Sequence, residues 1–398
     1  MMALFEILTL VIGKIILYIF IVVGFVEFSF RIYSWFVKTF LVEEVSRKDF
    51  MPKEYAIYSK WFMDWGKPMH SYLPIGFRFF NNDNSLPTVK NNYMGYRCDE
   101  FTPPSEDEFR IVLLGGSAAW GCGASSNDTT IAGYLEKLFN SDRQLLKRYK
   151  RAKCFNLAQM NSFQTQDILT IVFYVSKIRP DIVISLSGWN ELIANGPIEE
   201  CYLKNYGVFP IVEMLGWEPL QAGNVAFRSL IDAFCVHGAK KSVFIKWIAR
   251  NLRSTRVVNS REIVDRVKIG TPLFIKNLLL IQELGKAFGY KHYQFLQPHI
   301  YRKLNLSPEE QKIIEMYDIY RPIHGGINSG DYLRTFDIYA GVMEASQSET
   351  SLGIVENLLD TFRDEVESMF YSLVHVKDKG YQMLAEKIYK KIVEAELK

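Results

Sequence analysis

The chain has 398 residues, 48% hydrophobic and 23% charged, which is ordinary globular composition and enough for one large domain or two smaller ones. Its 47 basic and 44 acidic residues leave a formal charge of +3, not the basic field that nucleic-acid binding requires, so nucleic acid is a poor partner. The five cysteines, Cys98, Cys122, Cys154, Cys201 and Cys235, are widely spaced and lack a CxxC pair, pointing to neither a disulfide framework nor a zinc site.

The amino terminus opens with a 20-residue run, Ile7 to Val26, whose only charge is Lys14. As a helix it spans roughly 30 Å, the hydrocarbon thickness of a bilayer, and predicts a single transmembrane anchor. Lys14 sits about two turns inside the amino-terminal end, where its stem snorkels to the interface. No small-x-small cleavage site follows the run, which argues against a cleaved signal peptide. Arg31, Lys38, Arg47, Lys48 and Lys53 all follow the span, so the positive-inside rule taken alone leaves the remainder cytoplasmic. Residues 43–108 are aromatic-rich and read as a connecting segment packed on the domain that follows.

From Arg110 strand and helix patterns alternate. "RIVLLG" (110–115), "KCFNLA" (153–158) and "DIVISLSG" (181–188) read as strands buried on both faces. Helices are predicted over Ile131–Tyr149 and Gln164–Lys177, the second stopped by Pro180. A helix over Phe274–Phe288, a strand at 292–297 and a closing helix from Asp378 follow. The fold class is therefore α/β, a three-layer α/β/α arrangement on a parallel sheet, with sites expected at the carboxyl ends of the strands.

Three strand ends carry complementary chemistry. "GGSAAWGCGAS" offers the hydroxyl and N–H of Ser117, "NLAQMNSFQTQ" offers backbone N–H groups around Asn161 at a helix start, and "GWNE" offers the Asn190 amide. Near the carboxyl terminus "HVKDKGYQMLAEKIY" sets His375 just ahead of an amphipathic helix. Acyl transfer needs this combination: a base to take the serine proton, and donors aimed at the tetrahedral oxyanion. Glycines 115, 116, 121 and 123 do not fit a dinucleotide fingerprint, no Walker lysine follows them, and the six histidines form no HExxH, so no cofactor or metal is expected. Glu191 reads as a cap, and His299 and His324 as structural histidines.

These blocks, in this order, resemble the SGNH/GDSL hydrolase superfamily, and "FLQPHIYRKLNLSPEE" resembles the connecting region of its membrane-anchored bacterial members. The resemblance runs from about Arg110 to the carboxyl terminus and implies a flavodoxin-like hydrolase domain. It further implies Ser117 as nucleophile, His375 as base, and the Ser117 N–H, the Asn161 N–H and Asn190 as oxyanion donors. The family's acid position, three residues before the histidine, holds Ser372. Either Ser372 orients the imidazole, or a carboxylate such as Asp360, Asp364 or Glu367 does so, or the chain is a membrane-tethered pseudoenzyme that binds a glycan or an acyltransferase partner.

The domain expectation is an anchor with a juxtamembrane helix (1–42), a connecting segment (43–108) and a hydrolase-like domain (109–398) with a long insertion at about 194–370. The functional expectation is a serine esterase or O-acyltransferase for small acyl groups, acetyl above all, on envelope carbohydrate. By the resemblance, the membrane and a membrane O-acyltransferase are the other expected partners, and the main domain lies outside the cytoplasm.

Overall fold

The computed structural model describes residues 2–36, 70–72, 78–80, 89–160, 162–193, 260–314, 337, 340–341 and 355–396. Its contacts divide the chain into two units, one of residues 1–46 with 209–256 and one of residues 47–208 with 257–398.

In the first unit, Met2–Phe36 forms one continuous 35-residue helix. Leu17, Tyr18, Ile21, Val22, Val23 and Phe25 on it are all exposed. Among the described residues no helix is long and apolar enough to cross a membrane. The anchor expected over 7–26 lies within this helix, but the side chains at 7–12, 15, 16, 19 and 20 fall outside the described set.

The second unit is built on a parallel five-stranded sheet. Its strands are β3 (Glu108–Gly115), β4 (Arg151–Asn156), β5 (Ile182–Ser187), β6 (Lys291–Leu296) and β7 (Val355–Asn357), in the order β4-β3-β5-β6-β7. Counted from β3, that order is 2-1-3-4-5, the flavodoxin-like doubly wound arrangement. A separate antiparallel pair, β1 (His70–Tyr72) and β2 (Arg78–Phe80), matches His70 with Phe80.

Alternation along the strands fills two cores. Ile111, Leu113, Ile182 and Ile184 face the helix Ile131–Ser141, through Ile131, Leu135 and Phe139, and the closing helix Asp378–Glu396, through Tyr381, Leu384, Ile388 and Ile392. Val112, Leu114, Phe155 and Val183 face the opposite layer, where Ile171, Val175 and Ile178 pack with Ile281 of a long helix, Ser260–Phe288. Both faces of the sheet are covered, which is why its strands read as unbroken apolar runs. The chain steps from β3 outward to β4 and then back past β3 to β5, so the ends of β3 and β5 flank the switch point where such sheets place ligands.

Several elements differ from the sequence reading, each for a local reason. The helix expected over Ile131–Tyr149 stops at Ser141 because the Asp142 carboxylate accepts the N–H groups of Gln144 (2.8 Å) and Leu145 (3.2 Å), starting a separate 3₁₀ turn. The helix beginning at Gln164 passes through a π turn at Ile171–Val175 and ends at Arg179, whose φ of 48° is left-handed. The helix expected from Phe274 begins at Ser260 and carries Pro272 inside it. β6 and β7 lie within the stretch 194–370 and belong to the sheet, and the three residues of β7 are too few to show a period.

Candidate active site

The turn after β3 is made by glycine for reasons of space. Gly115 has φ +132°, and a Cβ there would lie 2.1 Å from the Leu186 carbonyl oxygen of β5. At Gly116 a Cβ would lie 2.5 Å from Asn190 Nδ2. Ser117 then opens a four-residue helix, Ser117–Trp120, at the position where helix geometry leaves the backbone N–H without an intrahelical partner. The loop beyond is held from inside by Arg97, 1% exposed, which donates to Gly121 O (2.6 Å), Ala124 O (3.3 Å) and Asn127 Oδ1 (3.1 Å) and stacks on Trp120 at 4.7 Å.

Asn190 stands on the short helix after β5. Its amide donates to Ser162 O at 2.8 Å, and Ser162 Oγ donates to Gly115 O at 2.8 Å, so one relay joins the ends of β3, β4 and β5. Asn161 lies outside the described residues. Glu191 caps its own helix by accepting the Gly188 N–H (2.9 Å) and also accepts the Gln164 N–H (3.2 Å), bracing the second block against the third. Burial pushes the Glu191 carboxyl up to about 7, against the pull of those N–H groups. Asp167, buried nearby, is raised by burial and then by the Glu191 charge.

His375 sits in a turn closed by the bridge between Phe370 and Val376, with Lys377 N–H donating to Met369 O at 2.8 Å. The Tyr371 ring stacks on the imidazole, 5.8 Å between centroids and 22° between planes. That ring occupies the space over Gly123, where a Cβ would fall 1.9 Å from it. Two clamps lock the histidine segment to the serine loop: Tyr381 donates to Cys122 O (2.6 Å), and the Asp378 carboxylate accepts from the Ser125 N–H (2.9 Å) and hydroxyl.

The outcome is a direct contact. His375 Nε2 lies 2.7 Å from Ser117 Oγ, and His375 Nδ1 lies 2.7 Å from Ser372 Oγ. Ser372 Oγ also accepts the His375 N–H at 3.1 Å and the Val374 N–H at 3.4 Å. Two hydrogen arrangements fit. With the ring proton on Nδ1, that N–H donates to Ser372 and Nε2 is a base toward Ser117. With the ring proton on Nε2, the Ser372 hydroxyl donates to Nδ1 while both its lone pairs take the backbone N–H groups.

The carboxylates upstream are engaged elsewhere: Asp360 faces Arg302 at 3.5 Å, Glu367 pairs with Lys379 at 2.7 Å, and Asp364 is exposed. His299 is buried between Trp189 and Tyr301, and burial, then the Arg302 charge, lowers its pKa to about 3, so it stays neutral. His324 lies outside the described residues. Arg97, Tyr371 and Asp378 are not singled out by the sequence; of the three only Asp378, an acid in a helix's first turn, carries a local signal.

No protein-family model matches the chain, and no curated protein sequence matches it. Solved structures similar to it include the acetyl xylan esterase AlAXEase, at 10% identity over 71% of this chain and 99% of that one, with a TM-score of 0.35. A GDSL-like lipase from Bacteroides thetaiotaomicron aligns at 11% identity over 74% and 92%, TM-score 0.32. An acetylxylan esterase from Geobacillus stearothermophilus aligns at 12% identity over 74% and 96%, TM-score 0.34. At such identities and scores these likenesses carry no argument about family or activity.

Glu191 gives a signed pH prediction. Its folded pKa of about 7 lies above the ordinary 4.5, so the native state binds the extra proton between those values. The stability it contributes is full below about 4.5 and is lost as pH rises through about 7, at roughly 1.4 kcal/mol for each pH step within that window. In parallel urea titrations the advantage of the native chain over Glu191→Gln should shrink across the same window; a pH-independent difference rejects the assignment.

Proposed function

We propose that the chain is a serine esterase or O-acyltransferase for small acyl esters, and the observation that carries this is the Ser372–His375–Ser117 file with its two 2.7 Å contacts. Ser117 Oγ attacks the acyl carbonyl while its proton passes to His375 Nε2. The negative charge that develops on the carbonyl oxygen is met by the Ser117 N–H, the Asn161 N–H and the second N–H of the Asn190 amide. The first amide N–H is fixed on Ser162 O, which orients the second. Collapse of the intermediate expels the alkoxide, protonated by His375, and leaves an acyl-serine. Water or a sugar hydroxyl then takes the acyl group by the same steps in reverse.

An acetyl group on envelope carbohydrate is the substrate we favour, by resemblance to anchored bacterial hydrolases. The support for a membrane anchor is the sequence run 7–26, whose only charge in 20 residues is Lys14. The main domain is then outside the cytoplasm, where the anchored members it resembles act on envelope glycans, and the basic residues after the run do not oppose this because long domains translocate largely regardless of charge. An export-dependent phosphatase fused after Lys398 should be active in cells; an inactive phosphatase fusion alongside a fluorescent cytoplasm-only reporter reverses the orientation.

A second reading rests on Ser372. With the proton on Nε2, both ring nitrogens and the Ser372 hydroxyl have partners and the imidazole offers Ser117 no base, so the domain is a tethered pseudoenzyme that binds a glycan or an acyltransferase partner. A fluorophosphonate probe separates the two: the esterase reading requires labelling of the native chain and none of Ser117→Ala, and an unlabelled native chain overturns it in favour of the second reading. Ser372→Asp follows from the same geometry. A carboxylate only accepts, so it forces the Nδ1–H form and stabilises the imidazolium, and acylation should quicken by between about tenfold and about 10⁴-fold when His375 is intact. An unchanged rate for Ser372→Asp together with loss of activity in Asp364→Asn or Glu367→Gln would place the acid elsewhere.

A further inference from the structure

The segment 303–310, part of "FLQPHIYRKLNLSPEE", contains a buried ion pair that the reaction does not use. Lys303 and Glu310 have no exposed side-chain surface, and Lys303 Nζ lies 2.6 Å from Glu310 Oε2. Lys303 also donates to Glu367 O at 2.5 Å. Part of this arrangement is an ordinary helix start: Ser307 Oγ accepts the Glu310 N–H (3.2 Å), and Glu310 Oε2 accepts the Ser307 N–H (2.9 Å), a capping box for the helix at 308–314.

A capping box needs one carboxylate oxygen and no buried cation. Here the second oxygen, Glu310 Oε1, accepts the N–H groups of Met369 (2.9 Å) and Phe370 (3.0 Å). Those two residues begin the hairpin that carries His375, since Phe370 bridges to Val376 and Met369 O receives the Lys377 N–H. The same region grips the hairpin at two further points, with Ile300 N–H on Leu373 O at 2.8 Å and Lys377 Nζ on Glu309 Oε2 at 3.0 Å. Burying a charged pair costs desolvation unless its remaining lone pairs and protons are satisfied. Five contacts offset that cost: three backbone N–H groups on Glu310, the Glu367 carbonyl on Lys303, and the ion pair itself.

We infer that Glu310, balanced by Lys303, is a positioning residue for His375: it fixes the depth of the hairpin and thereby the 2.7 Å approach of Nε2 to Ser117 Oγ. The inference rests on the esterase reading and adds to it a residue that touches neither substrate nor reacting atoms. Glu310→Gln tests it, because the amide must turn its NH2 toward either Met369 and Phe370 or Ser307 and Lys303, setting donor against donor at one end.

The experiment is a cycle of fluorophosphonate labelling rates on the full chain. Glu310→Gln should slow labelling by about 10²-fold when His375 is present, the loss expected of a misplacement of about 1 Å. In His375→Ala with free imidazole as the base, Glu310→Gln should change the rate by less than about twofold, because the hairpin no longer delivers the base. Lys303→Met/Glu310→Gln removes both charges, keeps the mismatch at the amides, and should show the same pattern if the single variant fails to fold. Equal losses in both backgrounds mean a general structural role and overturn the inference, as does an unaltered rate. No labelling of the native chain overturns the esterase reading itself and this inference with it, whereas a labelled native chain with a native-like Glu310→Gln sinks the inference alone.

Discussion

Ser117 and His375 are 258 residues apart in sequence and 2.7 Å apart in space. A hydrogen bond of this length tolerates only a few tenths of an ångström of drift before it weakens, so both partners need independent supports that agree. On the serine side the support is the glycine turn lying against the Leu186 carbonyl, with Arg97 filling the loop from beneath. On the histidine side it is the Phe370–Val376 bridge and the closing helix. Tyr381 on Cys122 O and Asp378 on Ser125 tie the two sides directly. Each joins residues 253 or 259 positions apart, which is why the pair depends on the completed sheet and not on any local motif.

The carboxylates around the site share one use. Glu191 holds the N–H groups of Gly188 and Gln164, Glu310 those of Ser307, Met369 and Phe370, and Asp378 that of Ser125. All three acids immobilise backbone at a turn, and a hydroxyl is what meets the imidazole. Glu310, paired with Lys303, and Asp378 make charge-assisted bonds to backbone N–H groups that are short and directional, whereas Glu191, raised to about 7 by burial, is about half protonated at neutral pH. The histidine is thus rigidly placed by charges and only neutrally oriented.

What could be read in the sequence was local. Strands buried on both faces leave apolar runs, and a glycine-serine turn, a histidine before an amphipathic helix, and Ser372 three residues upstream are all contiguous patterns. What could not be read depends on partners far along the chain. Arg97 has no neighbouring signature, because its role is set by carbonyls at 121 and 124 and by the face of Trp120. Gly123 reads as a turn residue, yet it is also required by the Tyr371 ring. Ser307 and Glu310 spell a capping box, but nothing local reveals that the second Glu310 oxygen grips residues 59 and 60 positions away. The helix boundary at Ser141 differs because the Asp142 side chain outcompetes the helix, and the helix from Ser260 runs through Pro272.

Two effects separate a serine from a carboxylate beside His375. The first is the tautomer. Turning the Ser372 hydroxyl so that it accepts from Nδ1 gives up one of its two backbone contacts, and the Val374 contact at 3.4 Å is the weaker. A neutral hydrogen bond contributes about 0.5–1.5 kcal/mol, so this preference costs no more than about tenfold in the population of the basic form. The second is charge. Replacing the acid by an amide in other serine hydrolases lowers turnover by about 10⁴-fold with the geometry intact, a loss that includes the wrong tautomer as well as the missing charge. The Tyr371 ring, stacked on that imidazole, offers an imidazolium only its π face, at most about 2 kcal/mol when desolvated. Under the proposed esterase reading, a serine here lowers the basicity offered to Ser117 without unmaking the site, because the Phe370–Val376 bridge and the Tyr381 and Asp378 contacts hold His375 against Ser117 in addition to the Ser372 hydrogen bonds.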